Sequence, residues 1–137
     1  MFWRKKPVKD EGSKHMVMLV DDDMPIRKCI GKLLEREGLE VITCADGQEA
    51  VETYTARCRE IGIIILDMLM PRMDGRTAFH ELKKLDPNVK VILSSGYSVT
   101  TAVQECLDAG ALIFFHKPFQ IGELMETIRQ HIVIKKT

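Results

Sequence analysis

The chain has 137 residues, enough for one domain with a usable core. Its 20 basic and 20 acidic side chains cancel to a formal charge of zero, so no global basic field points to nucleic acid and no acidic excess points to disorder. No apolar run reaches the length of a membrane span, and the basic N-terminus lacks the apolar core of a secretory signal.

Residues 1–15 carry Arg4, Lys5, Lys6, Lys9 and Lys14 against Asp10 and Glu11, with Phe2 and Trp3 as the bulky apolar groups. Pro7 and Gly12 break any helix, so this stretch reads as a flexible, mildly basic tail, and residues 16–137 as the folded domain. Met16 to Val20 is a buried strand that ends in Asp21-Asp22-Asp23. Asp23 can cap the next helix, with Pro25 tolerated in its first turn. Ile26, Ile30, Leu33 and Leu34 form one face of that helix, and Gly38 stops it. Leu39 to Thr43 reads as a short strand. Asp46-Gly47 is a turn that can also start a helix, whose apolar stripe is Ala50, Val51, Tyr54 and Cys58.

Ile61 to Leu66 is a continuous apolar run that leads straight into Asp67, the pattern of a central parallel strand covered on both faces. Pro71 lacks an N–H and turns Met70 away from helix, so Met68 to Pro71 is loop. Asp74-Gly75 opens a third helix with Ala78, Phe79, Leu82 and Leu85 on one side. Val89 to Leu93 reads as a strand closing on Ser94-Ser95-Gly96-Tyr97. A fourth helix carries Ala102, Val103, Cys106 and Leu107 and stops at Gly110. Ala111 to Phe115 is the fifth strand, followed by His116-Lys117-Pro118-Phe119, and Ile121, Leu124, Met125, Ile128 and Ile132 space the last helix. Cys29, Cys44, Cys58 and Cys106 show no metal-binding spacing. They read as small buried hydrophobes in a reducing, cytoplasmic setting without a structural disulfide.

Strands alternating with helices predict an α/β fold, a flavodoxin-like (βα)5 doubly wound parallel sheet with strand order 2-1-3-4-5. That order places Asp21, Asp22, Asp67, Ser95 and Lys117 at one edge, on strands about 4.8 Å apart. Three crowded carboxylates repel one another unless a cation joins them, and hard oxygen donors suit Mg²⁺. Mg²⁺ and a lysine neutralise phosphoryl oxygens while a carboxylate attacks phosphorus in line. Asp67, alone at the end of the central strand, is the best nucleophile; the adjacent Asp21 and Asp22 are better placed to hold metal. The competing structural explanation, an over-acidic helix start stabilised by the helix dipole, leaves Asp67 and Lys117 without a role.

Over roughly Met16 to Ile134 the chain resembles the receiver domain of bacterial two-component response regulators. The matching stretches are Leu19-Val20-Asp21-Asp22-Asp23, Leu66-Asp67-Met68-Leu69-Met70-Pro71-Arg72-Met73-Asp74-Gly75, Ser95-Gly96 and Lys117-Pro118-Phe119. Each is weak alone; together, in order and at the ends of the right strands, they are specific. The resemblance implies that Asp67 is the phosphoacceptor. Asp22 and Asp67 would hold Mg²⁺ directly, Asp21 largely through water, and Leu69 would contribute its backbone carbonyl. Ser95 would be the switch hydroxyl, with Ser94 as its competitor, and Lys117 would pair with the phosphoryl group and form a cis peptide with Pro118. Phe114 matches the switch aromatic, here without a phenol hydroxyl. The resemblance also implies that Leu69 and Tyr97 stand at the two positions that would tune the lifetime of the phosphoryl group; both are bulky and neither can activate water.

The implied function is a phosphorylatable switch, not an enzyme beyond its own phosphoryl transfer and dephosphorylation. A sensor histidine kinase or phosphotransfer protein would be the donor, and a downstream protein would read a surface of the fourth helix, fifth strand and fifth helix, which could also support a receiver homodimer. No direct nucleic-acid binding is expected. With no room after the fifth helix for an output domain, the chain reads as a stand-alone receiver or one cut from a larger protein such as a hybrid kinase. One rival is a pseudo-receiver that acts by contact without phosphorylation. Another is a small Mg²⁺ phosphohydrolase of the haloacid dehalogenase type, which needs a second Asp where Leu69 stands. A nucleotide- or flavin-binding domain would need a glycine-rich loop where Asp21 to Asp23 stand. His15, His80, His116 and His131 lie in no recognisable phosphodonor motif, and the methionines have no copper-binding spacing.

Overall fold

A computed structural model describes residues 14–132; of the tail expected over residues 1–15, residues 1–13 lie outside the described residues, as do residues 133–137 of the expected domain. In chain order the elements are β1 (Met16–Val20), α1 (Met24–Arg36), β2 (Glu40–Cys44), α2 (Gly47–Arg57), β3 (Ile61–Asp67), α3 (Gly75–Leu85), β4 (Val91–Ser95), α4 (Thr101–Asp108), β5 (Ile113–His116) and α5 (Ile121–His131). The strands form one sheet in the order β2-β1-β3-β4-β5, every neighbouring pair parallel, the arrangement expected from the sequence.

Side chains alternate across each strand and build two apolar layers. Met18, Val20, Ile64, Leu66 and Leu93 face α2, α3 and α4, where they meet Ala50, Tyr54, Phe79, Leu82, Val103 and Cys106. Val17, Leu19, Ile63, Ile65 and Ile92 face α1 and α5 and meet Leu34, Leu124, Met125 and Ile128. Burial on both faces explains why β3 reads as an unbroken apolar run.

Short polar side chains start the helices. Asp23, Asp46, Asp74 and Thr100 accept from the amides of Ile26, Glu49, Thr77 and Val103, which satisfies donors that the helices leave unpaired. Gly38 and Gly110, each at positive φ, follow α1 and α4 as the sequence predicts.

Several expectations need correction. Strands β2, β4 and β5 begin one or two residues later than the apolar runs suggest and extend into Cys44, Ser95 and His116. Leu39, Val89 and Ala111 are buried, but they precede the strands that the apolar pattern has them open. Cys29 is exposed and Cys58 half-buried, so only Cys44 and Cys106 act as buried hydrophobes; all four are free thiols. Leu85, placed on the apolar face of α3, is 47% exposed in its last turn. The β1–β3 pairing also shifts at Met16/Val17, where Gly62 is the extra residue. A Cβ on Gly62 would lie 2.6 Å from the Lys14 carbonyl oxygen, so the bulge requires glycine. Just before β1, His15 is half-buried with Nε2 3.2 Å from Glu40 Oε1. Among the described residues no helix is long and apolar enough to cross a membrane.

Candidate functional site

Register carries the acids together. Val20 of β1 pairs with Leu66 of β3, so the next residues, Asp21 and Asp67, emerge side by side. Asp67 pairs in turn with Ser94 of β4, and Ser95 pairs with His116 of β5, which places Lys117 one step beyond the ladder. The Lys117 amide donates to the Ser95 carbonyl at 2.8 Å, and the Lys117–Pro118 peptide is cis.

One carboxylate oxygen each from Asp21, Asp22 and Asp67 lies within 4.8 Å of the other two. Asp21 and Asp67 are buried, whereas Asp22 is exposed. The Lys117 ammonium stands between the buried pair, 2.6 Å from Asp21 Oδ2 and 3.4 Å from Asp67 Oδ2. Asp21 Oδ1 accepts from the Asp23 amide at 2.9 Å, and its backbone carbonyl accepts from Arg27 at 2.6 Å. Asp67 Oδ1 accepts from the Leu69 amide at 3.3 Å. Burial raises the Asp67 carboxyl to about 6; the charge of Lys117 opposes this rise and that of Asp21 adds to it. Burial works against the Lys117 ammonium, but the Asp21 hydrogen bond and the charges of Asp67 and Asp21 leave its pKa above the ordinary lysine value. The cluster thus consists of hard oxygen donors with more negative charge than one lysine balances, a donor set that fits a small divalent cation such as Mg²⁺.

The remaining predicted residues surround this edge. Ser95, rather than its competitor Ser94, lines a cavity of about 330 Å³ with Met68, Leu69, Tyr97 and Val103. Its Oγ accepts from the Tyr97 amide at 3.0 Å. The Leu69 and Tyr97 side chains are 55% and 64% exposed. Phe114 pairs with Leu93 in register and is half-buried against the layer that includes Val103 and Cys106.

Sequence reasoning missed two ion pairs that brace the site. Arg72, in the loop after Asp67, pairs with buried Asp46 at the start of α2. Arg76 of α3 pairs with Glu105 of α4, its Nε 2.7 Å from Oε1. No spacing rule links residues so far apart in sequence, and the one available signal was the capping potential of Asp46-Gly47.

Comparison with known proteins shows the family to which this fold belongs. The family model for the response regulator receiver domain matches residues 17–129. The chemotaxis protein CheY of Treponema pallidum is 36% identical over 121 residues, 88% of this chain and 84% of that protein. Sporulation initiation phosphotransferase F of Bacillus subtilis is 30% identical over 119 residues, 87% of this chain and 94% of that protein. Among solved structures, CheY of Borrelia burgdorferi, in a complex of CheX, CheY, BeF3 and Mg²⁺, superposes with a TM-score of 0.80 at 33% identity, covering 91% of this chain and 96% of that one. The chain therefore belongs to the response regulator receiver domain family of two-component signalling, with a CheY-like fold.

Proposed function

We propose that this chain is a Mg²⁺-dependent phosphorylatable switch with Asp67 as its phosphoacceptor. The observation that carries this reading is the convergence of Asp21, Asp22 and Asp67 on one point with Lys117 between the two buried acids. Asp22 and Asp67 are the residues that would hold Mg²⁺ directly, with Asp21 behind them and the Leu69 carbonyl as a further oxygen donor. Once bound, the ion would supply positive charge to the phosphoryl oxygens.

The protein's own residues do the rest. The Asp67 carboxylate attacks phosphorus of a phosphohistidine; the P–O bond forms as the P–N bond breaks, and the imidazole leaves with the electron pair. Forming the acyl phosphate removes the carboxylate charge of Asp67 and sets a more negative phosphoryl group beside Lys117, which draws the ammonium from Asp21 towards it. The Ser95 hydroxyl, now an acceptor for the Tyr97 amide, can donate to a phosphoryl oxygen. Inward movement of Ser95 and Lys117 would shift β4, β5 and the α4 start, with half-buried Phe114 carrying the change to the α4–β5–α5 surface. The exposed side chains of Leu69 and Tyr97 screen the in-line approach of water and lengthen the life of the acyl phosphate. A sensor histidine kinase or phosphotransfer protein is the donor, and a downstream protein, or a second receiver, reads the switched surface.

Intact-protein mass spectrometry after incubation with acetyl phosphate tests the reading. The expected result is a gain of about 80 Da, one acyl phosphate, that requires both Mg²⁺ and Asp67 and is absent in Asp67→Asn. Absence of both the mass gain and Mg²⁺ binding in the wild type would overturn it in favour of a receiver that acts by contact alone.

A further inference from the structure

The loop from Met68 to Asp74 carries the backbone proposed to complete the metal site, and its two ends are held differently. At the Asp67 end, the Met68 amide donates to the Ser94 carbonyl at 2.9 Å, and the Gly75 amide donates to the Met68 carbonyl at 3.1 Å. Gly75 packs so closely that a Cβ there would sit 2.5 Å from Met68 Cα and 2.7 Å from the Asp67 carbonyl oxygen. On the far side the loop rests on the start of α2, where a Cβ on Gly47 would lie 2.6 Å from the Met73 carbonyl oxygen. The polar anchor on that side is the ion pair of Arg72 with Asp46.

Three features mark this pair as more than a surface contact. Arg72 has φ +67°, the left-handed region, which a non-glycine residue occupies only when its surroundings hold it there. Asp46 is 4% exposed and also caps α2 through the Glu49 amide at 2.9 Å. Its carboxyl is held below the ordinary range, first by that amide and then by Arg72, so it stays ionised. Asp46 also follows closely on Cys44, whose carbonyl accepts from the Asp21 amide at 3.1 Å. The strut thus ties the loop after Asp67 to the segment that seats Asp21.

We infer that Arg72 is a positioning residue, which through its ion pair with Asp46 fixes the loop after Asp67 in the form that binds the divalent cation. The inference rests on the Mg²⁺ site proposed above. Arg72 touches neither the acids nor the ion; it acts by limiting the positions open to the Leu69–Pro71 backbone.

Isothermal titration of the full chain with MgCl₂ tests it, with thermal unfolding measured in parallel. Arg72→Gln is expected to weaken Mg²⁺ binding several-fold, less than the roughly 10–100-fold that loss of a group bonded directly to a metal ligand costs. Arg72 is largely exposed but Asp46 is buried, so Arg72→Gln should also lower the melting temperature, and the affinities are compared well below it. Asp46→Asn keeps the capping oxygen but loses the charge, and should weaken binding similarly. The double variant should be no weaker than either single one, since both remove the same pair. Wild-type affinity in Arg72→Gln, losses that simply add, or a lowered melting temperature with unchanged affinity would each overturn the inference and leave the Mg²⁺ site standing. A wild type that binds no Mg²⁺ would instead overturn the site itself, and the inference with it.

Discussion

Asp67 is held in the folded protein at a cost, and removing its charge should show how large that cost is. Its carboxyl rises from 3.8 to about 6, mainly by burial, with Asp21 adding to the rise and Lys117 resisting it. A pKa unit is worth about 1.4 kcal/mol, so this rise corresponds to about 3 kcal/mol. The folded chain binds this proton more tightly than the unfolded chain does. Ionisation of Asp67 therefore opposes folding: the full cost applies above about pH 6 and vanishes below about pH 4. Asn is nearly isosteric and carries no charge. In a chelating buffer at pH 7.5, Asp67→Asn should exceed the wild type in stability by up to about 3 kcal/mol, or about 10 °C in melting temperature for a domain of this size.

The difference should shrink as the pH is lowered from 6 to 4. Mg²⁺ should reduce it as well, since a ligand at ten times its dissociation constant stabilises the wild type by about 1.4 kcal/mol and the variant by less. Urea unfolding followed by far-UV circular dichroism, with both proteins at pH 7.5, 6 and 4.5, gives the three quantities directly. An Asp67→Asn protein no more stable than the wild type at pH 7.5, or a gain that does not change with pH, would refute the reasoning, because the buried charge of Asp67 would then not be what opposes folding.

Other consequences are quicker to check. Leu69→Asn and Tyr97→Glu replace exposed bulky groups with ones able to orient water, and should speed loss of the phosphoryl group by roughly tenfold, below the 10²–10⁴ of a fully positioned base; phosphoprotein half-lives by mass spectrometry report this. Gly75→Ala forces a Cβ against the Asp67 and Met68 backbone and should destabilise the protein by about 1–3 kcal/mol. By contrast, Gly31→Ala inside α1 meets nothing within 4 Å and should stabilise by about 0.5–1 kcal/mol; melting curves of the pair show the opposite signs. A thiol reagent should modify exposed Cys29 in the native protein well before Cys44 and Cys106, whose thiols burial pushes up to about 11; peptide mapping after brief labelling identifies the site.

Much of the fold and the convergence of acids could be read in the sequence because both depend on period and order. Helix stripes, two-face strands and the 2-1-3-4-5 winding leave Asp21, Asp67, Ser95 and Lys117 no other edge to occupy. The errors fall where apolar character and hydrogen bonding part company. Val89 is buried without belonging to β4, whereas Ser94 and Ser95 extend that strand although they are polar. Hydrophobicity reports burial, and the ladder reports pairing; at strand ends these differ by a residue or two. Cys29 lies beside the Ile26–Ile30 stripe of α1 but turns to solvent, a rotation that a mixed apolar–polar helix does not fix from sequence. The Arg72–Asp46 and Arg76–Glu105 pairs were illegible for another reason. They join separate elements through long side chains, and only tertiary geometry selects such partners.

The residues that resist a simple stability account are those assigned to the chemistry. Elsewhere the chain is locally consistent: capped helices, apolar stripes and strands buried on both faces. At the C-terminal edge it places two buried acids and a third nearby around one lysine, which breaks the rule that buried charge should be balanced. That imbalance is useful to a switch. A ligand can shift a conformational equilibrium only by the difference in its free energy between the two states. An edge already satisfied by its own side chains would offer a cation or a phosphoryl group little difference to act on. Here Lys117 is shared between Asp21 and Asp67 and completes neither environment, so a group that adds positive charge, or that takes up Lys117 itself, changes the balance at three strand ends at once. By linkage, any displacement of β4 and β5 that such binding favours will in turn favour the binding, and a partner that holds the α4–β5–α5 face in the displaced form should raise the affinity of the acidic edge for its ligands.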